Sequence, residues 1–318
     1  MGADRTANAT AILVLNFNGE GLLAECLPSV VAAARRSRGP CWVGVVDNGS
    51  TDGSLAYLDA SWPRVRVFRE PNRGLATFNH VLPGLAERVV LLLNNDVKLD
   101  PDAVGPLVAA VEANPDALFA APLCWDFEGR LYEGMRTRVR SRFGLVQGLC
   151  RVPGHESAIW SPDLTAAAGP VLAVDRAKFL ALGGFDPLYF PGRIEDLDLG
   201  FRGWMAGWRG YYVPESVAYH RGFGSFAPAF GRAGCDALAL RNSLLFAWKN
   251  LSGRRLLGHL AWLPARVAHA LVRHPGRLAA ILDACRLLKP ALRSRRALAV
   301  GRGDWRRRQE AYFERFGW

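Results

Sequence analysis

Apolar runs that end in short polar clusters punctuate the first hundred residues of this chain. Ala11 to Leu15 stops at Asn16-Phe17-Asn18-Gly19-Glu20, and Trp42 to Val46 stops at Asp47-Asn48-Gly49-Ser50. Val65 to Phe68 is closed by Glu70-Pro71-Asn72-Arg73-Gly74, and Val89 to Leu93 by Asn94-Asn95-Asp96. Runs this short and apolar predict strands covered on both faces. Between them, Leu22 to Ala34, a short segment with Leu55 and Leu58, and a segment through Asn79, Leu82 and Leu85 have helical spacing. Strand–helix alternation with short polar turns predicts an α/β fold on a parallel, doubly wound sheet. The polar strand ends then gather on one edge, where open α/β sheets place ligands.

Further along, Ala103 to Ala113 predicts a helix, Leu118 to Pro122 and Val171 to Val174 predict strands, and Glu195 to Gly203 predicts a helix. In that last helix Asp198 and Arg202 are spaced for an i,i+4 pair, and Trp204 and Trp208 are spaced for core packing. Residues 126–165 set Arg130, Arg136, Arg138, Arg140, Arg142 and Arg151 among Gly and Pro, a pattern that predicts long loops over the site. The dinucleotide fingerprint GxGxxG is absent after the first strand, which argues against a nicotinamide or flavin enzyme.

Charge changes the picture only at the C-terminal end. Hydrophobic residues make up 50% and charged residues 22% of the chain, a globular balance. Residues 1–239 hold 23 Lys+Arg against 25 Asp+Glu, whereas residues 240–318 hold 17 against 4. We therefore read 1–239 as the chemical domain and 240–318 as a basic amphipathic helical extension. There Leu256, Leu257, Leu260, Leu263, Val267 and Leu271 recur at helical spacing among arginines, and Pro264, Pro275 and Pro290 predict breaks into short helices. The extension is either a packed appendage or an interfacial membrane element with Trp262 and Leu side chains dipping in; we favour the second. No stretch reaches the ~18 apolar residues of a spanning helix. Met1 to Thr10 lacks a basic segment followed by an apolar one, so no signal peptide is expected. Six scattered cysteines without a CxxC pair predict free thiols in a reducing cytosol.

The chemistry begins with a lone carboxylate, Asp96, at a strand end, which suits a hydrated divalent cation. A second acidic cluster, Glu195-Asp196-Leu197-Asp198, suits a base, and together they suggest metal-assisted group transfer. The segments Leu15-Asn16-Phe17-Asn18, Val46-Asp47-Asn48-Gly49-Ser50-Thr51-Asp52-Gly53, Pro71-Asn72-Arg73-Gly74, Asn94-Asn95-Asp96, Gly183-Gly184-Phe185-Asp186 and Glu195-Asp196-Leu197-Asp198-Leu199 occur in that order. Over residues 10–225 they closely resemble the family 2 glycosyltransferases of GT-A fold, especially the bacterial rhamnosyltransferase-like branch. That fold is a Rossmann-like nucleotide-binding mixed sheet flanked by helices.

The resemblance implies an inverting transferase that uses a nucleoside-diphosphate sugar and Mn2+ or Mg2+. It implies that Asp47 reads the nucleotide base and that Asn16 and Asn18 hold the nucleoside, with Glu20, Asn72, Gly74, Asn79 and Asn95 completing the nucleotide site. Asp96 is the metal-binding aspartate, His220 completes the metal shell, and Asp196 is the catalytic base. Asn94-Asn95 stands where many relatives have a second carboxylate, so metal binding would lean on the diphosphate oxygens. Asp196 sits at a helix start, where the dipole is expected to keep it ionised; Asp186 reads as a structural turn. The implied partners are a nucleotide-sugar donor, a lipid-linked or glycan acceptor of cell-surface polysaccharide synthesis, and the inner face of the cytoplasmic membrane.

Two other classes compete. A sugar-phosphate nucleotidyltransferase needs a glycine-rich basic loop after the first strand, where Asn16-Phe17-Asn18-Gly19-Glu20 stands instead. A nucleic-acid binder acting through the basic tail needs a stacking groove, and Trp262, Trp305, Tyr312, Phe313, Phe316 and Trp318 are not laid out as one. No nucleic acid is expected as a partner.

Overall fold

The apolar run ending at Asn94 finds its cover at the centre of a mixed sheet. The structure is a computed structural model that describes residues 9–222, 226–298 and 304–318. The first eight residues, where most of the signal-peptide expectation falls, lie outside the described residues.

Strands β1 (Thr10–Asn16), β2 (Cys41–Asp47), β3 (Arg66–Arg69) and β4 (Val89–Asn94) are parallel, in the order β4-β1-β2-β3. They are followed by β5 (Val97–Leu99), β6 (Ala117–Asp126), β7 (Tyr132–Gly134), β8 (Arg138–Arg142), β9 (Leu145–Leu149), β10 (Asp163–Leu164), β11 (Val171–Asp175) and β12 (Arg209–His220). On the other side of β4 the order continues β11-β6-β12-β10. Here the sheet becomes mixed, as the resemblance implies: β11 runs antiparallel to both β4 and β6. The reversal was hidden because Val171 to Val174, buried on both faces, has the same apolar signature in either direction.

Helix α1 (Glu20–Arg36) covers the sheet with Leu23, Leu27 and Val30, and α4 (Val104–Ala113) does so with Val104, Leu107 and Val111. Helices α2 (Ser54–Ser61), α3 (Phe78–Val81) and α5 (Arg176–Ala181) are short. The helix predicted through Asn79 and Leu85 breaks into α3 between two 3-10 turns, because Pro83 and Gly84 interrupt it.

Residues 126–165 are not the long loops expected. They contain β7 and the β8–β9 hairpin, paired Arg138 to Leu149 through Arg142 to Leu145. The Arg-Val-Arg-Ser-Arg alternation of β8 buries only Val139 fully, which is why it read as a basic loop.

A second core joins this hairpin to the C-terminal helices. Val139, Val146, Leu197 and Phe201 pack with Leu244, Phe246, Ile281 and Tyr312. These come from α6 (Glu195–Ala206), α7 (Phe226–Asn250), α8 (Gly253–Arg273), α9 (Pro275–Arg286), α10 (Leu288–Ala297) and α11 (Trp305–Phe316). Residue 240 lies inside α7, whose backbone departs from helical geometry at Gly231. Pro264 does not break α8, contrary to the expected interruption. Trp204 packs edge-on against Tyr312 and Phe316, the core role read from its spacing.

A buried charge cluster fastens the two cores. Asp198, fully buried, accepts from Arg202 Nε (2.6 Å), Lys249 Nζ (2.8 and 2.9 Å), Asn250 Nδ2 (2.7 Å) and Tyr189 Oη (2.8 Å). Lys249 also pairs with Asp186 at 2.7 Å. Burial alone would raise the Asp198 carboxyl, but the Lys249 and Arg202 charges hold it far below the usual carboxylate range. Its contribution to stability is therefore present at neutral pH and is lost only as pH falls into strong acid, below the ordinary aspartate value. We predict that Asp198→Asn, which leaves Arg202 without its carboxylate and Lys249 with Asp186 alone, lowers unfolding free energy by about 3–5 kcal/mol in urea titrations. A loss under about 1 kcal/mol would mean that the cluster does not hold the two cores together.

Candidate active site

The polar ends of β1, β2 and β4 are laced by side-chain amides. Asn16, fully buried, donates from Nδ2 to Ser50 Oγ (3.2 Å) and Asp47 Oδ1 (3.4 Å), and its Oδ1 accepts from Asn95 Nδ2 (2.8 Å). Asp47 Oδ2 accepts the Ser50 N–H at 3.1 Å, so this carboxylate caps its own turn. Asn18, with φ 47°, accepts the Thr51 N–H at 2.7 Å and donates its own N–H to Ser50. Asn48 continues the lace to the next loop, donating to Asn72 Oδ1 (3.0 Å) and accepting from the Thr77 hydroxyl (2.6 Å). The Glu20 N–H donates to Asp52 Oδ2, tying the start of α1 to the same turn.

Two glycines let these loops close. A Cβ at Gly19 would sit 2.1 Å from Asn95 Nδ2. Gly74 has φ +60°, and a Cβ there would meet Pro191 O at 2.8 Å, so the Asn72–Gly74 turn touches the segment before α6. Asn79 serves this assembly as a brace: its amide donates to Phe185 O (2.7 Å) and accepts the Phe185 N–H (2.9 Å).

The acidic helix joins at the end of β4. The Asn94 N–H donates to Pro170 O at 3.0 Å, and the neighbouring Gly169 N–H donates to Asp196 Oδ2 at 3.1 Å. Asp196 is thus held beside the strand end that bears Asp96. The turn into α6 is strained, with Arg193 (φ 79°) and Ile194 (φ 76°) both left-handed without being glycine. Asn242 from α7, fully buried, holds that turn by donating to three carbonyls: Tyr189 O (3.0 Å), Gly192 O (2.7 Å) and Arg193 O (2.9 Å). Sequence reading missed Asn242, Lys249 and Asn250. Their one signal was a lysine set against Phe246-Ala247-Trp248, since a lysine within an apolar run must find a buried partner.

Burial raises both neighbouring carboxyls. Glu195 is pushed up to about 8, with the Asp196 charge adding to the burial effect. Asp196 itself is raised, against the expectation that the helix dipole would keep it low, because burial outweighs its bonds to the Leu197 and Gly169 N–H groups.

Asp96 and His220 come together at the other side of the strand end. β12 pairs with β5 so that His220 lies opposite Val97, and the Arg221 N–H donates to Asp96 O at 3.1 Å. His220 Nε2 is 3.5 Å from Asp96 Oδ1, and Nδ1 is 3.6 Å from Glu133 Oε2. Burial would lower the imidazole, but these two carboxylates outweigh it and lift it to about 9. Glu133, in the segment read as loop, is a neighbour that the sequence did not reveal. Among the described residues no three His, Cys, Asp or Glu side chains converge on a common point. Asp96 Oδ1, however, is buried and accepts no hydrogen bond. A buried carboxylate oxygen left without a hydrogen bond, with one imidazole beside it and Glu133 on that imidazole's far side, fits a cation that draws its remaining ligands from a substrate.

The family model described as Glycosyl transferase family 2 matches residues 11–159. Over 234 residues the chain is 31% identical to the N-acetylglucosaminyl-diphospho-decaprenol L-rhamnosyltransferase of Mycobacterium tuberculosis (strain CDC 1551 / Oshkosh), covering 66% of this chain and 75% of that protein. The structure of the mannosyltransferase PcManGT from Pyrobaculum calidifontis in complex with GDP-Man and Mn2+ matches with TM-score 0.53 and 20% identity, over 98% of this chain and 87% of that one. That of S. aureus TarS 1-349 in complex with UDP-GlcNAc matches with TM-score 0.53 and 17% identity, over 96% and 92%. At such identities the likeness to the two solved structures is one of fold.

The Asn242 amide gives the site its own test. Asn242→Ala leaves three carbonyls of the turn before α6 without their donor, a loss of roughly 1–3 kcal/mol by the usual penalty for an unmade buried bond. In hydrogen exchange we expect the amides of residues 189–197 to open faster while those of β1 and β4 stay protected. Uniform loosening of the whole chain, or none, would contradict the pinning role.

Proposed function

The chain belongs to glycosyltransferase family 2 and has the GT-A fold, and from that premise we propose that it moves a sugar, with inversion, from a nucleoside-diphosphate sugar to a hydroxyl of a lipid-linked or glycan acceptor. The similarity to a rhamnosyltransferase supports rhamnose as the sugar and cell-envelope polysaccharide synthesis as the setting. The observation that carries the reading is the meeting of Asp96, His220 and Asp196 around the end of β4.

In this reading the nucleoside rests on the Asn16–Asp47–Asn18 lace, with Glu20, Asn72, Gly74 and Asn95 shaping the loops around it and Asn79 bracing them. The donor's diphosphate lies toward Asp96. Asp96 and His220 would hold the divalent cation, Mn2+ or Mg2+, which neutralises the charge that develops on the departing diphosphate. The acceptor oxygen attacks the sugar's anomeric carbon from the face opposite the diphosphate. The carbon–oxygen bond to the diphosphate breaks as the new one forms, and the acceptor's proton passes to Asp196. Glu195 supports that assignment: burial and the Asp196 charge raise it to about 8, which makes it the poorer proton acceptor at neutral pH.

Asp196→Asn tests the chemistry. The amide keeps the shape and the bond from Gly169, so donor affinity should hold while turnover falls by about 10²–10⁴, the usual worth of a general base. A variant with near-wild-type turnover would move the role to another group.

The basic extension, residues 240–318, supports a peripheral seat on an anionic membrane. Among the described residues no helix is long and apolar enough to cross one. Along α8, Leu256, Leu263 and Val267 pack on the second core, while Leu257 (68% exposed), Leu260, Trp262 and Leu271 face outward among arginines. Each Arg or Lys near such a surface contributes about 1 kcal/mol, screened by salt. Full-length protein should therefore bind phosphatidylserine-containing liposomes at low salt and keep a weaker, apolar-driven fraction at high salt. Protein that ignores these liposomes at low salt would leave the extension as packing alone.

A further inference from the structure

The β8–β9 hairpin links the outward face of α8 to a second cavity. Its turn residues Phe143 (φ 51°) and Gly144 (φ 74°) are seated on α8: His259 Nδ1 lies 2.8 Å from Gly144 O, and Arg266 Nη2 donates to Phe143 O at 2.7 Å. The Phe143 ring meets Trp262 edge-on at 4.9 Å, and both are about half exposed. At the hairpin's other end, Arg138 and Cys150 open into a cavity of about 260 Å³ that Tyr132, Arg136, His155 and Trp318 also line. That is below the ~300–1,000 Å³ of pockets that take a whole ligand, and suits one charged group.

Positive charge is in excess there. Arg136 grips Asp163 at 2.5 and 3.1 Å, and Arg315 bonds the same carboxylate. Arg138 is half-buried and has neither an ion pair nor a side-chain hydrogen bond with the described residues. A guanidinium keeps its charge in such a place, and the carboxylate whose field reaches it, Asp163, is already bonded by Arg136 and Arg315. The further carboxylate nearby, Glu156, lies beside His155 and is exposed. The cavity also borders the site described above: its wall residue Tyr132 adjoins Glu133, which stands 3.6 Å from His220. Its wall residue Cys150 is raised first by burial and further by the negative charges of Asp196 and Glu133.

We propose that this cavity is the acceptor's phosphate subsite, with Arg138 and Arg136 as its ligands, so that the acceptor is a phosphate- or diphosphate-bearing lipid-linked sugar rather than a neutral glycan. The planar guanidinium fork matches phosphate oxygens in pairs. With the phosphate at Arg138, a lipid chain can follow the hairpin for roughly 17 Å, five residues at strand spacing, to the Phe143–Trp262 pair. The sugar hydroxyl is then on the Asp196 side. The inference rests on the transferase reading for its acceptor, but the anion site itself does not.

Arg138→Gln tests it in two arms. In the first, calorimetry with inorganic pyrophosphate in chelator, without donor or metal, should show binding to the wild type that weakens by on the order of tenfold in the variant. Equal binding by both proteins, or by neither, overturns the subsite whether or not the chain is a transferase. The second arm is kinetic and compares a short-chain prenyl-diphosphate sugar with the octyl glycoside of the same sugar. The variant should raise KM for the diphosphate acceptor about tenfold and leave KM for the glycoside, donor hydrolysis and liposome binding unchanged. Equal effects on both acceptors would overturn the proposal, and loss of liposome binding would make Arg138 a headgroup contact instead. Arg138→Lys, which keeps the charge without the fork, should fall between the two proteins and guards against misfolding of the glutamine variant. A wild type that hydrolyses no donor but binds pyrophosphate through Arg138 would refute the transferase reading and leave the anion site standing.

Discussion

Strand β11 runs antiparallel to β4, with Val171 opposite Leu93, so the start of one strand lies at the end of the other. In an all-parallel sheet the segment before β11 would enter at the opposite edge, far from the polar strand ends. Reversed, it delivers Gly169 and Pro170 to Asn94, and Gly169 in turn holds Asp196. Asp96 and Asp196, the proposed cation ligand and the proposed base, are a hundred residues apart in sequence and are brought to one strand end through this pairing. Backbone hydrogen bonds make the placement stiff, and stiffness is what a base needs to meet an acceptor hydroxyl at bonding distance.

The acidic turn is expensive to hold. Asp198 and Lys249 are stripped of water, and Arg193 and Ile194 sit in left-handed backbone that non-glycine residues avoid. The C-terminal helices offset that strain: Asn242 gathers three carbonyls and Lys249 bridges Asp186 and Asp198. The region that reads from its charge as a separate extension thus contributes to the site's geometry from within, while its outward Leu and Trp side chains remain available to a lipid surface.

Much of this was legible from sequence. The four parallel strands, their polar ends, and the Asp198–Arg202 pair follow from runs of apolar residues and from helical spacing, which are local signals. What escaped was long-range. The direction of β11 leaves no trace in a fully buried strand, and β8 shows a single fully buried residue, Val139, among arginines. Glu133 reaches His220 only because β7 pairs with β6, and Asn242 reaches the turn before α6 only through the packing of α7. Asp196 is raised despite its place at a helix start for a related reason: the depth at which that helix begins outweighs the field of the helix itself.

The central claim is that the end of β4 gathers a cation, a diphosphate and a base at one place. Crystals of the full chain grown with a nucleoside diphosphate and manganese, measured at the manganese edge, address it directly. The account predicts an anomalous peak within ~2.0–2.3 Å of an Asp96 oxygen and of the diphosphate, with Asp196 near but not coordinating. Manganese bound through Glu195 or Asp196, or a diphosphate placed away from Asp96, would contradict it.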